Sequence, residues 1–360
     1  MPPYRVVQWS TGKVGVRALA AILDNPNLEL VGVWVHSPSK VGRDAGELVG
    51  RPPCGVVATD DVDALLALGA DVVCYTATGE LRPSEALDDI CRILASGANV
   101  VSSSLALLHP KTADPTMVEP LRAASEEGGS TCFFSGIDPG FANDVLSIVL
   151  SGVSQRITEI RVQEILNYST NVDAATLFDL MGFGQPLDST PLIVLPDVLA
   201  GFWGGTIQVI AEALGVELDA VEQWHERRPF DDDIEVADGV VAAGTQAGLR
   251  FEVRGVVDGR HLIVLEHVTR LHDDVAPDWP AQHGQGGYHL TISGEPTIEA
   301  TFRAVGSDGQ TNTGGLIVTA TKLLNAIPGV VAAPPGLVST NDLPFPTGRG
   351  LVDLAPRSTT

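Results

Sequence analysis

Residues 8–15 read Gln8-Trp9-Ser10-Thr11-Gly12-Lys13-Val14-Gly15. They join a short apolar run, Arg5–Trp9, to a helical pattern of apolar residues over Val14–Leu23. In a dinucleotide-binding turn, the second glycine lets the main chain approach a pyrophosphate and the third lets the helix pack closely on its strand. Gly12 and Gly15 meet these needs, and Ser10 is small enough for the first position. The stretch therefore predicts a dinucleotide site at a helix N-terminus, where free N–H groups and the helix dipole attract phosphates.

The end of the second predicted strand, Leu28–Val35, indicates which dinucleotide is preferred. Folds specific for NAD usually place an Asp or Glu about 20 residues after the glycines to bind the ribose 2′-hydroxyl. No acid occurs between Val31 and Lys40. Ser37, Ser39, Lys40 and Arg43 suit a 2′-phosphate instead, because it accepts charge-assisted hydrogen bonds. We expect NADP(H) to be preferred to NAD(H); the alternative is a solvated loop with an incidental lysine.

Hydroxyl side chains follow two later predicted strands, Asp71–Tyr75 and Asn99–Ser103. The carboxyl ends of such strands face the crevice in which dinucleotides bind. These hydroxyls either bond to the nicotinamide ribose or amide, or cap a neighbouring loop. The predicted cofactor contacts are Ser10, Thr11, Gly12, Lys13, Val14, Gly15, His36, Ser37, Lys40, Thr76, Thr78 and Ser102.

Apolar runs alternate with helical patterns over residues 1–140, which predicts a parallel sheet with helices on both faces. After Ser151 the pattern changes to long strands, including Ile157–Leu166 and a hairpin around Asp258-Gly259. The fold class expected is α/β, with an N-terminal doubly wound Rossmann sheet and a second α+β domain on a mixed or antiparallel sheet. We assign residues 1–140 to dinucleotide binding and 141–312 to substrate binding and dimerisation. Residues 313–360, with a predicted helix at Leu316–Ala326, are expected to pack back on the first domain.

Composition excludes several classes of function. The chain has 360 residues and a formal net charge of −23, from 45 acidic and 22 basic residues, so it repels nucleic acid and anionic membranes. No apolar run approaches the roughly 20 residues of a membrane span, and no secretory leader is expected. Four cysteines lie far apart, without a C-x-x-C pair or metal-ligand spacing. We therefore expect a cytoplasmic protein with free thiols, no metal, and a small-molecule substrate.

Four motifs together resemble one family. They are Gln8-Trp9-Ser10-Thr11-Gly12-Lys13-Val14-Gly15, Lys40-Val41-Gly42-Arg43-Asp44-Ala45-Gly46, Ser135-Gly136-Ile137-Asp138-Pro139-Gly140-Phe141 and Glu266-His267-Val268-Thr269-Arg270. The chain resembles the actinobacterial dihydrodipicolinate-reductase-like proteins, relatives of 2,4-diaminopentanoate dehydrogenase and of the native NAD(P)-dependent amine dehydrogenases. The resemblance covers nearly the whole chain and implies a homodimer that transfers hydride between a nicotinamide and an imine or amine carbon. The His-rich loop and lysine of true dihydrodipicolinate reductases are absent from the sequence.

The resemblance also implies site residues. Amine dehydrogenases of this kind place a catalytic glutamate just after the fifth strand, where Leu105 and Ala106 stand here. A carboxylate there would attract ammonium and move protons, so its replacement argues against amination with free ammonia. The family positions that match indicate a substrate pocket that includes Leu105, Ala106, Phe141, Arg161, Gln163, Asn312 and Thr313.

Two residues are candidates for proton transfer. His267 is the first, with a satisfied core histidine as the alternative, and Tyr168 is the second. The leading hypothesis is an NAD(P)H-dependent oxidoreductase of an imine, amine or carbonyl carbon in a small, partly hydrophobic substrate. The alternative from another class is a dinucleotide-binding sensor or partner protein without turnover.

Overall fold

The computed structural model describes residues 2–79, 82–170, 174–237, 239–281 and 286–352. The chain divides into two compact units. One comprises residues 1–136 together with 316–360, and the other comprises residues 137–315.

Strands and helices alternate through the first unit. They are β1 (Tyr4–Trp9), α1 (Lys13–Asp24), β2 (Leu28–Trp34), α2 (Ala45–Leu48), β3 (Ala58–Thr59), α3 (Val62–Leu66), β4 (Val72–Tyr75), α4 (Pro83–Ala95), β5 (Asn99–Ser102), α5 (Pro115–Gly128) and β6 (Thr131–Phe134). The cap of α3 is Asp61, whose side chain accepts a hydrogen bond from the N–H of Ala64.

The second unit is built on long strands. Its elements are α6 (Asp144–Ser151), β7 (Arg156–Asn167), α7 (Val198–Leu214), β8 (Ala220–Pro229), β9 (Ile234–Val236), β10 (Gly239–Val241), β11 (Gln246–Val257), β12 (Arg260–Arg270), β13 (Gly286–Glu295) and β14 (Ile298–Phe302). The chain continues through α8 (Thr311–Ala332) to β15 (Gly336–Val338). Single turns of wider or tighter helix lie at Ala175–Leu180 and Leu192–Val194, and Ile137–Phe141 forms a tight turn whose Asp138, Pro139 and Gly140 have non-helical backbone angles.

The described strands of the first unit form one parallel sheet in the order β15-β6-β5-β4-β1-β2-β3. Its two faces carry separate buried clusters. One contains Val6 with Leu19 of α1, and the other contains Val7 with Ile90 of α4. Alternate residues of a strand point to opposite faces, so a sheet covered on both sides must be apolar on both. The predicted doubly wound α/β fold is confirmed.

The sheet of the second unit has the order β14-β13-β7-β12-β11-β8. β7 and β12 run parallel, whereas the other neighbours are antiparallel, so the sheet is mixed, as predicted. α7 packs against one face through Ile207 and Ile210, which are fully buried in the core of this unit. The residues that α7 covers are therefore the odd-numbered ones of β11 and β12, such as Phe251 and Leu265.

Helix α8 is longer than the predicted Leu316–Ala326. Among the described helices, it is the one whose length and mean hydropathy, 1.5, would be enough to cross a membrane, which corrects the expectation that no apolar stretch approaches that length. Ala320, Leu323 and Ile327 of this helix are fully buried in the same cluster as Val6. Over the 18-residue window of α8 that meets this criterion, 39% is buried inside the structure. The four cysteines are all free, and Cys54 is exposed.

Candidate active site

The turn between β1 and α1 has the geometry that a close phosphate approach requires. Gly12 is the N-cap of α1 and, as glycine, offers no side chain to the N–H groups of the first turn. A Cβ placed on Gly12 would meet only the Ser10 hydroxyl at 3.8 Å, so the space above the turn is open. A Cβ on Gly15 would lie 2.3 Å from the carbonyl oxygen of Ser10, which explains why a glycine is needed there. These residues fit a dinucleotide phosphate at the N-terminus of α1.

Lys40 lies beside this turn. Its Nζ donates to the carbonyl oxygen and to the hydroxyl of Thr11, at 3.0 Å each. His36 and Ser37, just beyond β2, are exposed, as is Arg43. Lys40 thus places a positive charge next to the glycine turn, beyond the end of β2.

The predicted hydroxyl contacts have different surroundings. Thr76 is buried, and its hydroxyl donates to the carbonyl of Trp9 while accepting from Gln8. The Ser102 hydroxyl is fully buried and accepts from the N–H of Ser104. Thr78, in contrast, is exposed. Thr76 and Ser102 therefore brace the turns at the strand ends.

Leu105 and Ala106 follow β5 and have left-handed backbone conformations, with φ of +68° and +42°. Non-glycine residues adopt these angles at a cost, and such strain is concentrated at functional turns. Both side chains are half-buried.

In the second unit, a buried cluster surrounds His267. The Nε2 atom of His267 lies 3.4 Å from Asp138 Oδ2, and its Nδ1 atom lies 3.5 Å from Glu164 Oε1. These distances are long for hydrogen bonds, so the pairing is chiefly ionic. The side chains of the three residues are 6%, 2% and 8% exposed, and such buried charges persist only when they are paired.

Four neutral donors hold the two carboxylates in place. Trp203 Nε1 donates to Asp138 Oδ1 at 2.6 Å, and Asn143 Nδ2 donates to Asp138 Oδ2 at 3.1 Å. The remaining donors are the hydroxyls of Tyr168 and Tyr288, which bond to Glu164 at 3.2 and 2.5 Å.

The pKa of His267 reflects two opposing effects. Burial alone would lower it, because a low-dielectric environment disfavours the charged imidazolium. The facing carboxylates of Asp138 and Glu164 outweigh burial and raise the pKa of His267 to about 10. Burial also opposes ionisation of Asp138, but His267, Trp203 and Asn143 hold the pKa of Asp138 below its usual value. At neutral pH the cluster therefore holds an imidazolium between carboxylates.

Asp138, Glu164 and His267 also lie close enough to one another to be considered as metal ligands, with one donor atom of each within 4.8 Å of the others. However, the two imidazole nitrogens face different carboxylates. A single ion bound at one imidazole nitrogen would leave the carboxylate on the far side of the ring uncoordinated. A proton on each nitrogen satisfies both carboxylates at once, and this is the arrangement that the geometry favours.

The sequence grouped Arg161 and Gln163 with His267, and the structure separates them. β7 and β12 pair so that Glu266 lies beside Gln163 and His267 lies beside Glu164. Successive residues of a strand point to opposite faces, so Arg161 and Gln163 share the face of Glu266, away from His267. There Glu266 accepts from Arg161 at 2.7 Å and from Gln163 at 2.9 Å.

The remaining pocket candidates lie in separate places within the second unit. Phe141 packs edge-on against Phe302, with ring centroids 5.5 Å apart. Asn312 and Thr313 are inside the first turn of α8, where Thr313 donates to Asp308 at 2.7 Å and Asn312 donates to Thr170 at 3.3 Å. Of the predicted residues in this unit, the structure brings together His267 and Tyr168, through Glu164.

Sequence reasoning did not single out Asp138, Glu164, Trp203 and Tyr288. A signal for Glu164 was present, because it continues the row Ile160, Val162 on the buried face of β7, where a carboxylate breaks the apolar alternation. The other three are joined to it only by tertiary contacts.

Comparison with known proteins gives a consistent result. Residues 141–354 match the family model of the 2,4-diaminopentanoate dehydrogenase C-terminal domain, and residues 6–81 match that of the dihydrodipicolinate reductase N-terminus. The chain is 44% identical over 344 residues to an amine dehydrogenase of Streptomyces virginiae, covering 94% of this chain and 96% of that protein. It is 27% identical over 361 residues to the 2,4-diaminopentanoate dehydrogenase of Acetoanaerobium sticklandii, covering 96% and 95%.

A solved structure agrees in fold. The amine dehydrogenase of Mycobacterium smegmatis superposes with a TM-score of 0.77 at 23% identity, covering 96% of this chain and 98% of that one. At this level of identity the likeness shows that the two chains share a fold.

Proposed function

The chain belongs to the 2,4-diaminopentanoate dehydrogenase family and is an NAD(P)-dependent oxidoreductase of an amine or imine, and from this premise we propose how its residues divide the work. The first unit binds the dinucleotide, with NADP(H) preferred. The second unit binds a small, partly apolar substrate and exchanges protons with it through His267 and Tyr168. The observation that carries this proposal is His267 lying between Asp138 and Glu164, with Tyr168 bonded to the same Glu164.

The glycine turn would hold the dinucleotide. Gly12 leaves room for the pyrophosphate, and Gly15 keeps α1 close to β1. The nicotinamide supplies or accepts the hydride when it is bound. Lys40, held beside Thr11, supports a preference for NADP(H), because its charge lies near the turn and no acid follows β2 to bind a free 2′-hydroxyl.

The cluster around His267 would move the proton that accompanies hydride transfer. With its pKa raised to about 10, His267 holds a proton throughout the neutral range. In the oxidative direction, the oxygen of Tyr168 accepts a proton from the substrate nitrogen while its own hydroxyl proton passes to Glu164, the carboxylate that also faces His267. In the reductive direction the protons move back along the same path.

Leu105 and Ala106 offer no carboxylate to ammonium. We therefore propose that the substrate arrives as an amine, a preformed imine or a carbonyl, and that free ammonia is a poor co-substrate. A dinucleotide sensor without turnover is the less favoured function, since the relatives are dehydrogenases.

We also propose a cytoplasmic homodimer. The face of the second sheet that carries Arg161 presents alternating charges, in which Arg161, Arg250 and Arg254 pair with Glu252 and Glu266. A patch of mixed sign is self-complementary, as a two-fold interface requires. A sedimentation mass equal to that of a single chain at micromolar concentration would exclude this part of the proposal.

Replacing the two proposed proton-transfer residues tests the function. His267→Asn and Tyr168→Phe should each lower kcat for amine oxidation at least a hundredfold while leaving the Kd of NADPH within about twofold. His261→Asn, on the same strand but exposed and paired with Glu222, is the matched control and should keep full activity. Unchanged turnover in both site variants would remove these residues from the mechanism.

A further inference from the structure

Glu164 receives three donors and is almost fully buried. The Tyr168 hydroxyl lies 3.2 Å from Oε1, the Tyr288 hydroxyl lies 2.5 Å from Oε2, and His267 Nδ1 lies 3.5 Å from Oε1. An ionised carboxylate only accepts hydrogen bonds, so both phenol protons point at Glu164. Burial and the charges of Glu164 and Asp138 raise the pKa of both tyrosines well above the usual value, so the two hydroxyls keep these protons.

The direction of these bonds determines what the tyrosines can offer to a ligand. A phenol hydroxyl has one proton to donate and lone pairs with which to accept. Since the proton is committed to Glu164, the remaining capacity of each tyrosine oxygen is that of an acceptor. An incoming group must therefore bring its own N–H or O–H bonds.

The charge of the cluster favours a cation among such groups. Asp138 and Glu164 contribute two negative charges, and His267 contributes one positive charge, which leaves one negative charge in a nearly dry environment. A fixed negative charge attracts a cation more strongly there than in water.

We propose that Glu164 is a positioning residue of the active site, which turns the oxygens of Tyr168 and Tyr288 into acceptors for the N–H groups of a protonated amine. This inference rests on the proposed function, since it assumes that the substrate nitrogen reaches these tyrosines. One carboxylate, acting through two hydroxyls, would then make the site bind a cationic nitrogen in preference to a neutral oxygen.

A binding experiment without turnover tests this selection. In the presence of NADPH, 2-aminopentane and 2-pentanol have no acceptor for a hydride, so calorimetry gives the Kd of each. The wild-type chain should bind the protonated amine at least tenfold more tightly than the alcohol, the scale expected of a hydrogen bond in a charged network. In Glu164→Gln the ratio should fall to near one, because the amide removes the charge and brings donors of its own.

Glu266→Gln is the matched control. Glu266 is also a buried carboxylate that binds several donors, but it lies on the opposite face of the sheet, and the variant should keep the wild-type ratio. Tyr168→Phe is the second variant in case Glu164→Gln does not fold; it keeps Glu164, removes one acceptor and should lower the ratio by severalfold.

An unchanged ratio in folded Glu164→Gln or in Tyr168→Phe would overturn the inference, as would a wild-type chain that binds the alcohol as tightly as the amine. Loss of amine turnover in His267→Asn together with an unchanged binding ratio in Glu164→Gln would leave the proposed function intact and remove only the role of Glu164.

Discussion

The imidazole of His267 stacks on the ring of Phe251, with centroids 4.5 Å apart and planes 12° apart. Trp203 meets the same imidazole edge-on at 4.7 Å. The two nitrogens at the rim of the ring face Asp138 and Glu164. A cation above an aromatic face is stabilised by the ring quadrupole, and its N–H groups are satisfied by the carboxylates. Aromatic packing and ion pairing therefore favour the same protonated state.

This arrangement predicts how stability depends on pH. The pKa of His267 is raised from 6.5 to about 10 in the folded chain, so the folded state binds more protons than the unfolded state between these values. The stabilisation by His267 is fully present below pH 6.5 and is lost as the pH rises towards 10. We expect the free energy of unfolding of the wild type to exceed that of His267→Gln most at pH 6 and least at pH 10, measured by urea denaturation.

The control for this prediction is His225→Gln, because His225 is an exposed histidine of β8 whose pKa is lowered, by partial desolvation and by the charge of Arg227, instead of raised. Its stability difference from the wild type should not shrink between pH 6 and 10. A difference for His267→Gln that stays constant over the same range would show that the imidazole is neutral in the folded chain.

A second prediction concerns the indole that holds Asp138. Trp203→Phe keeps an aromatic ring against His267 but removes the 2.6 Å hydrogen bond to Asp138. A lost hydrogen bond to a buried charge costs about 1.5–3 kcal/mol. We expect Trp203→Phe to lower the free energy of unfolding by about that amount. Trp224→Phe, a half-buried indole beside Arg250 and Arg254, should cost less than half as much.

Periodicity in the sequence predicted most of the fold. The glycine turn, the alternation of strands and helices, and the hairpin at Asp258-Gly259 each depend on local rules of spacing, and the described structure follows them. β8 was not predicted, because its many Glu, Gln, His and Arg residues leave no alternation of apolar and polar side chains in its sequence. β15 was not predicted because three residues after Pro335 form a strand only by pairing with β6.

The candidate site was less predictable than the fold. The sequence did single out His267 and Tyr168. Which residues of β7 lie on the same face as His267, however, depends on the register between β7 and β12. Arg161 lies only three residues from Glu164, but the parity of the strand sends it to the opposite face. Asp138 is joined to Glu164 only through tertiary contacts around His267, which no local pattern encodes.

Cofactor preference gives a third prediction. Lys40→Ala should lower kcat/KM for NADPH by about 10- to 100-fold and change the value for NADH by less than threefold, because only the 2′-phosphate gains a charge-assisted bond. Arg92→Ala is the control, since this exposed arginine pairs with Asp63 on a helix of the same unit. A wild type that uses NADH better than NADPH would contradict the assignment.

The two glycines of the β1–α1 turn should respond differently to an added methyl group. In Gly15→Ala the new Cβ would lie 2.3 Å from the Ser10 carbonyl oxygen and 2.9 Å from Thr76 Oγ1, so α1 must move away from the sheet. Overpacking of this kind costs about 1–3 kcal/mol. In Gly12→Ala the Cβ meets only the Ser10 hydroxyl at 3.8 Å, and φ of −72° suits alanine, so stability should stay within about 1 kcal/mol of the wild type.

The affinity for the cofactor should show whether each glycine variant acts on phosphate binding or only on folding. The open space above Gly12 is where the main chain would approach the pyrophosphate, so a methyl group there should raise the Kd of NADPH at least tenfold in a chain that is otherwise folded. Gly15→Ala should lose both stability and affinity, because the helix N-terminus is displaced together with the helix. Fluorescence titration and thermal melting of both variants provide the comparison. Wild-type affinity for NADPH in a folded Gly12→Ala chain would mean that the phosphates bind elsewhere, because the added methyl group occupies the space that the pyrophosphate needs above the turn.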